Sequence, residues 1–159
     1  MAMATLATND RVDRAQLLDF ARTRHRLTLI TTKRDGRPQA SPVTGGVDAE
    51  GRIVVSTYPD RAKATNLRRD PRVSVLVHSD DWDGPWVQVD GTAEVLDMPS
   101  PEAEDGLVEY FRCISGEHPD WDEYRAAMRT QGKSLIRVTI EAWGPVATGG
   151  FPPGRAPRD

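Results

Sequence analysis

Between Arg26 and Val47 the stretch RLTLITTKRDGRPQASPVTGGV alternates apolar and β-branched residues on both sides of Asp35-Gly36. Asp-Gly flanked by alternating runs is a strong short-range signal for a β-hairpin. A second turn at Asp48–Gly51 (DAEG) leads into a third strand, RIVVSTY, over Arg52–Tyr58. Strands joined this tightly are antiparallel, because a parallel pair needs a crossover of a dozen or more residues. That removes the doubly wound folds from consideration early.

The remaining elements extend the pattern. Asp13–Arg24 carries Ala15, Leu18 and Ala21 on one helical stripe, with Asp13 placed to cap it. After the third strand, Pro59-Asp60 stops the strand and opens a helix that runs to about Arg69. Asp70-Pro71 ends it, since the residue before proline is driven out of the α region. Arg72–Ser79 reads as a fourth strand, and Trp86–Asp97 as one bent strand or a pair, with Gly91 marking a bulge or barrel corner. Ser100–Ile114 and Pro119–Thr130 are helical, Ser100 capping the first and Pro101 suiting its first turn. Ser134–Val146 alternates as a strand with Ile136, Val138 and Ile140 on one buried face. Six or so strands in hairpins, with short helices at the connections, predict a mainly β (α+β) antiparallel barrel.

The chain of 159 residues suits one core. Residues 1–12 read as a loose leader, 13–146 as the barrel domain and 147–159 as a Pro/Gly-rich tail, extended and held to the surface or frayed. A net charge of −3 gives no bulk attraction to nucleic acid or to an anionic membrane. No run approaches the ~20 apolar residues of a spanning helix, and the N-terminus lacks a signal-peptide pattern, so a cytoplasmic protein is expected. Cys113 stands alone, which excludes an internal disulfide and a thiolate metal cluster and suits a buried apolar thiol.

Several chemistries are missing. His25, His78 and His118 fall in three elements without zinc-ligand spacing, and there is no serine-hydrolase elbow, Walker loop or GxGxxG. What stands out is YPDRAKATNLRRDPRVSVLV, residues 58–77, which crowds Arg61, Lys63, Arg68, Arg69 and Arg72 around one short helix. A solvated charged face is one reading. An anion site is the other: a helix start offers unpaired N–H groups and partial positive charge, and Arg61 and Lys63 add full charges there. Asn66, one turn beyond Lys63, shares its face, while Ser56 and Thr57 close the preceding strand with hydroxyls. Arg68 and Arg69 face partly elsewhere and suit solvent or acidic partners.

The run RAKATNLRRDPRVSVLV, between the DGRPQASPV hairpin and VDGTAEVL, resembles the split-barrel flavin-binding superfamily that includes pyridoxamine 5′-phosphate oxidase. GEHPDWDEYRAAM and the PPG-containing tail are similar to its actinobacterial branch that uses the deazaflavin coenzyme F420. The resemblance spans about Asp13 to Arg155. It implies a six- to seven-stranded antiparallel split β-barrel and a homodimer with cofactor at the subunit interface. It implies that Arg61 and Lys63, with Asn66, hold the cofactor phosphate, and that the ring system lies against Gln39, Ser41, Pro42, Val43, Ser56 and Thr57. The implied activity is hydride transfer from reduced F420 to an electron-poor, enone- or quinone-like small molecule; FMN is the alternative cofactor. An FMN oxidase of the pyridoxamine 5′-phosphate oxidase type is a second reading, though the short end GFPPGRAPRD leaves little room for substrate-phosphate contacts. A non-catalytic cofactor carrier is a third, and a haem-binding variant would turn to His78.

The cofactor choice turns on charge. F420 continues past a phosphodiester to a lactyl–polyglutamate tail, for which Arg68, Arg69, Arg72 and Arg155 offer cations. No residue stands out as a proton donor. Gly45-Gly46 either opens space over the ring or marks a barrel bend. Among the tryptophans, Trp86 suits the core or a dimer contact, Trp82 a pocket wall or lid, and Trp121 with Tyr124 an inward-facing pair.

Overall fold

A computed structural model describes residues 5–155. The elements in order are β1 (Thr8–Asp10), α1 (Arg14–Arg22), β2 (Arg26–Thr32), β3 (Pro38–Val47), β4 (Ile53–Thr57), α2 (Ala62–Arg69), β5 (Arg72–Val77), β6 (Val87–Asp97), α3 (Pro101–Ser115), α4 (Trp121–Gln131), β7 (Ser134–Trp143) and β8 (Val146–Thr148). Six strands close an antiparallel barrel in the order β2-β3-β4-β7-β6-β5, and β1 pairs with β8 in a separate two-stranded sheet.

Local signals place the elements. Asp13 closes a capping box on α1: its carboxylate accepts from Gln16 N–H and the Gln16 side chain accepts from Asp13 N–H, both at 2.9 Å. Ser100 caps α3 through Ala103 N–H, and Asp120 caps α4 through Glu123 N–H. The Asp35-Gly36 turn joins β2 to β3, with Gly36 at φ +88° as the turn requires. Inside the barrel, Leu29, Val55, Val75, Val89, Ile136 and Val138 pack together, and Leu17 of α1 closes one end. A second core lies outside the sheet, where Leu107, Val108 and Tyr124 of the α3–α4 pair cover Val54 and Leu135.

The stretch expected as one bent strand or a pair over Trp86–Asp97 forms the single strand β6 from Val87, bent by a register shift against β7 between Asp90 and Gly91. The stretch expected as one strand over Ser134–Val146 divides into β7 and β8 at Gly144-Pro145, where Pro145 lacks the N–H to continue a ladder. Thr8–Asp10, inside the stretch read as a loose leader, pairs in register with Val146–Thr148, and the Thr8 and Thr148 hydroxyls share a 2.8 Å hydrogen bond. Residues 1–4 of that leader and 156–159 of the tail lie outside the described residues.

Gly45 and Gly46 prove to be packing positions. A Cβ on Gly45 would meet Leu27 Cδ1 at 2.4 Å, and one on Gly46 would meet Cys113 Sγ at 2.5 Å. They let α3 and the barrel interior close on β3, and so open no space over a ring. Cys113 is half-buried there, and burial pushes its thiol up to about 11, which suits an inert packing role. Trp86 is exposed, so the expectation of a core position fails; Trp121 and Tyr124 pack inward edge-to-face as expected.

Candidate functional site

The barrel is closed but not evenly. β3 bonds to β4 only through Gly45↔Val55, Gly46↔Val54 and Val47↔Ile53. Before Gly45, β3 keeps its partner β2 alone, and beyond Val55, β4 keeps β7 alone. The two strands therefore fork. Gln39, Ser41, Pro42 and Val43 lie on one lip, and Ser56 and Thr57 on the other. A fork leaves a row of backbone N–H and C=O groups without ladder partners, which is what recognition through main-chain hydrogen bonds needs. Tyr110 of α3 sits at the crotch, where its hydroxyl donates to Thr44 O (3.3 Å) and neighbours the Ser56 hydroxyl; burial raises its pKa and keeps it a neutral phenol.

At the open end of the fork, α2 begins. Its N-cap is Arg61, in extended conformation and without a side-chain cap, so the first N–H groups of the helix receive nothing from the cap side chain. Arg61 is exposed and lies 5.9 Å over the Tyr58 ring, which also carries Lys133 Nζ at 4.0 Å. Lys63 is half-buried. Its ammonium is held below the ordinary lysine range, first by burial and then by Arg61 beside it. Among the described residues neither Arg61 nor Lys63 has a carboxylate within ion-pair distance, whereas Arg68 and Arg72 have Asp97 and Asp70.

Asn66 is buried rather than presented on the Lys63 face. Its amide donates to Thr31 Oγ1 (3.0 Å), and Thr31 donates to Gln39 Oε1 (3.2 Å). Arg69 donates to Asn66 Oδ1 (3.2 Å) and to Thr32 O (2.7 Å). This network ties α2, β2 and β3 together under the open end of the fork. Thr31 gave no signal in the sequence, because its place depends on strand register. The Ser41 hydroxyl, by contrast, is buried with no hydrogen-bond partner among the described residues. An orphaned buried polar atom costs about 1–3 kcal/mol, and here it lies on the lip of the fork.

The arginine cluster divides in two. Arg68 grips both oxygens of Asp97 (2.8 and 2.9 Å) and donates to Pro59 O (2.7 Å), bracing the entry to α2. Burial opposes ionisation of Asp97, but hydrogen bonds from Ser134 and Arg68 outweigh it and hold the carboxyl below its usual range. Arg72 pairs with Asp70 through two hydrogen bonds. Both arginines are thus engaged, Arg68 with an acidic partner as expected, and Arg72, offered in sequence to an acidic tail, with Asp70. A hollow of about 380 Å³ beside α2 is lined by Lys33, Arg34, Asp35, Gln39, Asn66 and Arg69, so one carboxylate stands among its cations.

The pyridoxamine 5′-phosphate oxidase family matches residues 14–147, which take in the fork, α2 and the whole barrel. The chain belongs to that family. Among solved structures, it is similar to the conserved hypothetical protein Rv2991 from Mycobacterium tuberculosis, with 26% identity over 89% of each chain and a TM-score of 0.71. Two further solved structures share the fold at lower identity. An F420 reductase is 20% identical, over 79% of this chain and 94% of its own, with a TM-score of 0.57. The haem storage protein HutZ from Vibrio cholerae is also 20% identical, over 85% and 95%, with a TM-score of 0.60. This member of the pyridoxamine 5′-phosphate oxidase family combines a forked barrel with two cations that have no carboxylate partner among the described residues, at a helix start without a side-chain cap. No described helix is long and apolar enough to cross a membrane.

Proposed function

We propose that this protein is an F420-binding oxidoreductase that reduces an electron-poor enone- or quinone-like small molecule, working as a cytoplasmic homodimer through its 13–146 barrel. One observation carries the reading: Arg61 and Lys63, without carboxylate partners among the described residues, stand at the uncapped start of α2 beside a fork whose lip holds the orphaned Ser41 hydroxyl. A phosphodiester answers the first feature, and a flat ring edged with carbonyls and N–H groups answers the second. The residues present therefore fit the group.

Arg61 and Lys63 would hold the phosphate, with Asn66 acting through Thr31 to fix Gln39 and the position of α2. Backbone groups of Gln39–Val43 and the hydroxyls of Ser41, Ser56 and Thr57 would orient the ring. When bound and reduced, the deazaflavin supplies the hydride. The chain's share is orientation, a neutral phenol at Tyr110 and partial exclusion of water. Lys33 and Arg34, in the hollow beside α2, favour F420, since with Arg69 they outnumber Asp35 there and offer cations to carboxylates that FMN lacks. The test is anaerobic turnover of reduced F420 with menadione and with cyclohexenone. Oxidation of F420 dependent on the protein supports the reading, and no turnover with any acceptor, despite tight F420 binding, would favour a carrier.

Lys63 makes the binding pH-dependent in a stated direction. Its pKa is depressed in the free protein, and a bound anion favours the ammonium, so binding takes up a proton. F420 affinity should then fall as pH rises through the alkaline range below the ordinary lysine pKa. Dissociation constants across that range should slope for the wild type and flatten for Lys63→Ala.

A further inference from the structure

On the outer face of the barrel, the loop between β5 and β6 and the chain after β8 enclose a hollow of about 650 Å³ that uses none of the fork residues. Its floor includes Leu76 and Gln88, paired across β5 and β6. Two tryptophans line it, Trp82 with 87% of its surface exposed and Trp86 with 41%. Short hydrogen bonds fix the walls. Trp86 exchanges both backbone bonds with Ala147 (2.9 Å each), and Phe151 N–H donates to Thr5 O (2.8 Å), which seats Thr5 and Gly150 on the rim. In the loop, Gly84 N–H donates to Asp81 O (3.0 Å) and Asp83 N–H to Asp81 Oδ1 (3.1 Å). The His78 ring stacks beside the Trp82 indole, 15° from parallel, and is itself held by a 2.8 Å hydrogen bond between Nε2 and Thr28 Oγ1. Walls already in place cost a ligand little ordering.

Charge decides what the hollow takes. Among the described residues that line it, Asp83 carries the one carboxylate, and there is no lysine or arginine. Asp83 has no ion-pair partner among the described residues, while Asp80 of the same loop faces Arg26 at 3.5 Å, outside the hollow. We infer that this hollow binds a small organic cation of the alkylated ammonium class. The negative π faces of indoles attract a cation more strongly than those of other aromatic rings. Alkyl groups on the nitrogen meet Leu76 and the indoles, and they spare the cost of stripping water from a compact, strongly hydrated ammonium. Asp83 supplies the countercharge and repels anions. The inference holds whether the fork takes F420, FMN or neither.

The test uses the wild-type protein with choline as the probe and 3,3-dimethylbutanol, its uncharged carbon isostere, as the comparison. Binding is followed through the indole Nε1–H resonances of Trp82 and Trp86, assigned by their loss in Trp82→Leu and Trp86→Leu. Choline should move both resonances and bind about tenfold tighter than the isostere. Trp82→Leu keeps an apolar side chain on an exposed loop but removes the π face, and should weaken choline about fivefold. Asp83→Asn should weaken choline and leave the isostere unchanged. Equal affinity for choline and the isostere overturns the inference, as do resonance shifts confined to other indoles. So does choline affinity that stays at the wild-type value in both Trp82→Leu and Asp83→Asn. A Trp82→Leu variant that loses oligomeric state with unchanged choline affinity also overturns it, since the indole would then be a contact between copies.

Discussion

Replacing Arg61 and Lys63 together by alanine is expected to weaken F420 binding at least about a hundredfold. In the proposed complex each would form charge-assisted hydrogen bonds to a phosphate, worth about 1.5–3 kcal/mol apiece, and together these amount to between two and four decades in affinity. The fold should not suffer. Arg61 is exposed, Lys63 is half-buried, and neither has a carboxylate partner to strand among the described residues. Removing two adjacent cations relieves repulsion, so the melting temperature should hold or rise slightly. That contrast separates the pair from Asn66. Asn66→Ala removes the donor to Thr31 and one of the two acceptors of Arg69 in the network that ties α2 to β2, and should lower stability and affinity together. Calorimetry alongside ligand titration distinguishes the two cases.

The second large effect is on the barrel itself. A Cβ added to Gly91 would stand 2.1 Å from the carbonyl oxygen of Thr139. The neighbour is backbone in the longest strand pairing of the sheet, and it cannot swing aside as a side chain would. Gly91→Ala should therefore cost about 3 kcal/mol or more, at the upper end of overpacking penalties. For a chain of this length that is a fall of roughly 6–12 °C in melting temperature. Gly36→Ala is the control. Gly36 has φ +88° with nothing near its missing Cβ, so its cost is conformational only, about 1 kcal/mol. Equal effects for the two substitutions would contradict the register shift at Asp90/Gly91.

What could be read from the sequence was what local chemistry decides. Asp35-Gly36 names a hairpin, Asp13 and Ser100 name helix starts, and Asp70-Pro71 names a helix end, because each acts on residues within one turn of itself. Gly91 was readable as a bulge for the same reason. The β1–β8 pairing was not: its partners lie 140 residues apart and carry no strong strand signal. The site divides along the same line. Arg61 and Lys63 stand out by charge at a strand–helix junction. The fork between β3 and β4, which gives Ser41 its unpartnered hydroxyl, exists only once the register is set. Thr31, Tyr110 and Lys133 join the site from other elements and look ordinary in sequence. Arg72 shows the opposite failure: composition cannot tell that Asp70 already occupies it, whereas Arg68 finds in Asp97 the acidic partner expected for it.

The central claim is the identity of the ligand at the fork, and the direct measurement is equilibrium titration of the wild-type protein with F420 and, separately, with FMN, followed by tryptophan quenching. The account predicts saturable F420 binding at least tenfold tighter than FMN, abolished by the Arg61→Ala, Lys63→Ala double substitution. Tighter binding of FMN would move the protein to the flavin side of its family. Binding of neither would contradict the account, and leave Arg61 and Lys63 as a solvated helix face.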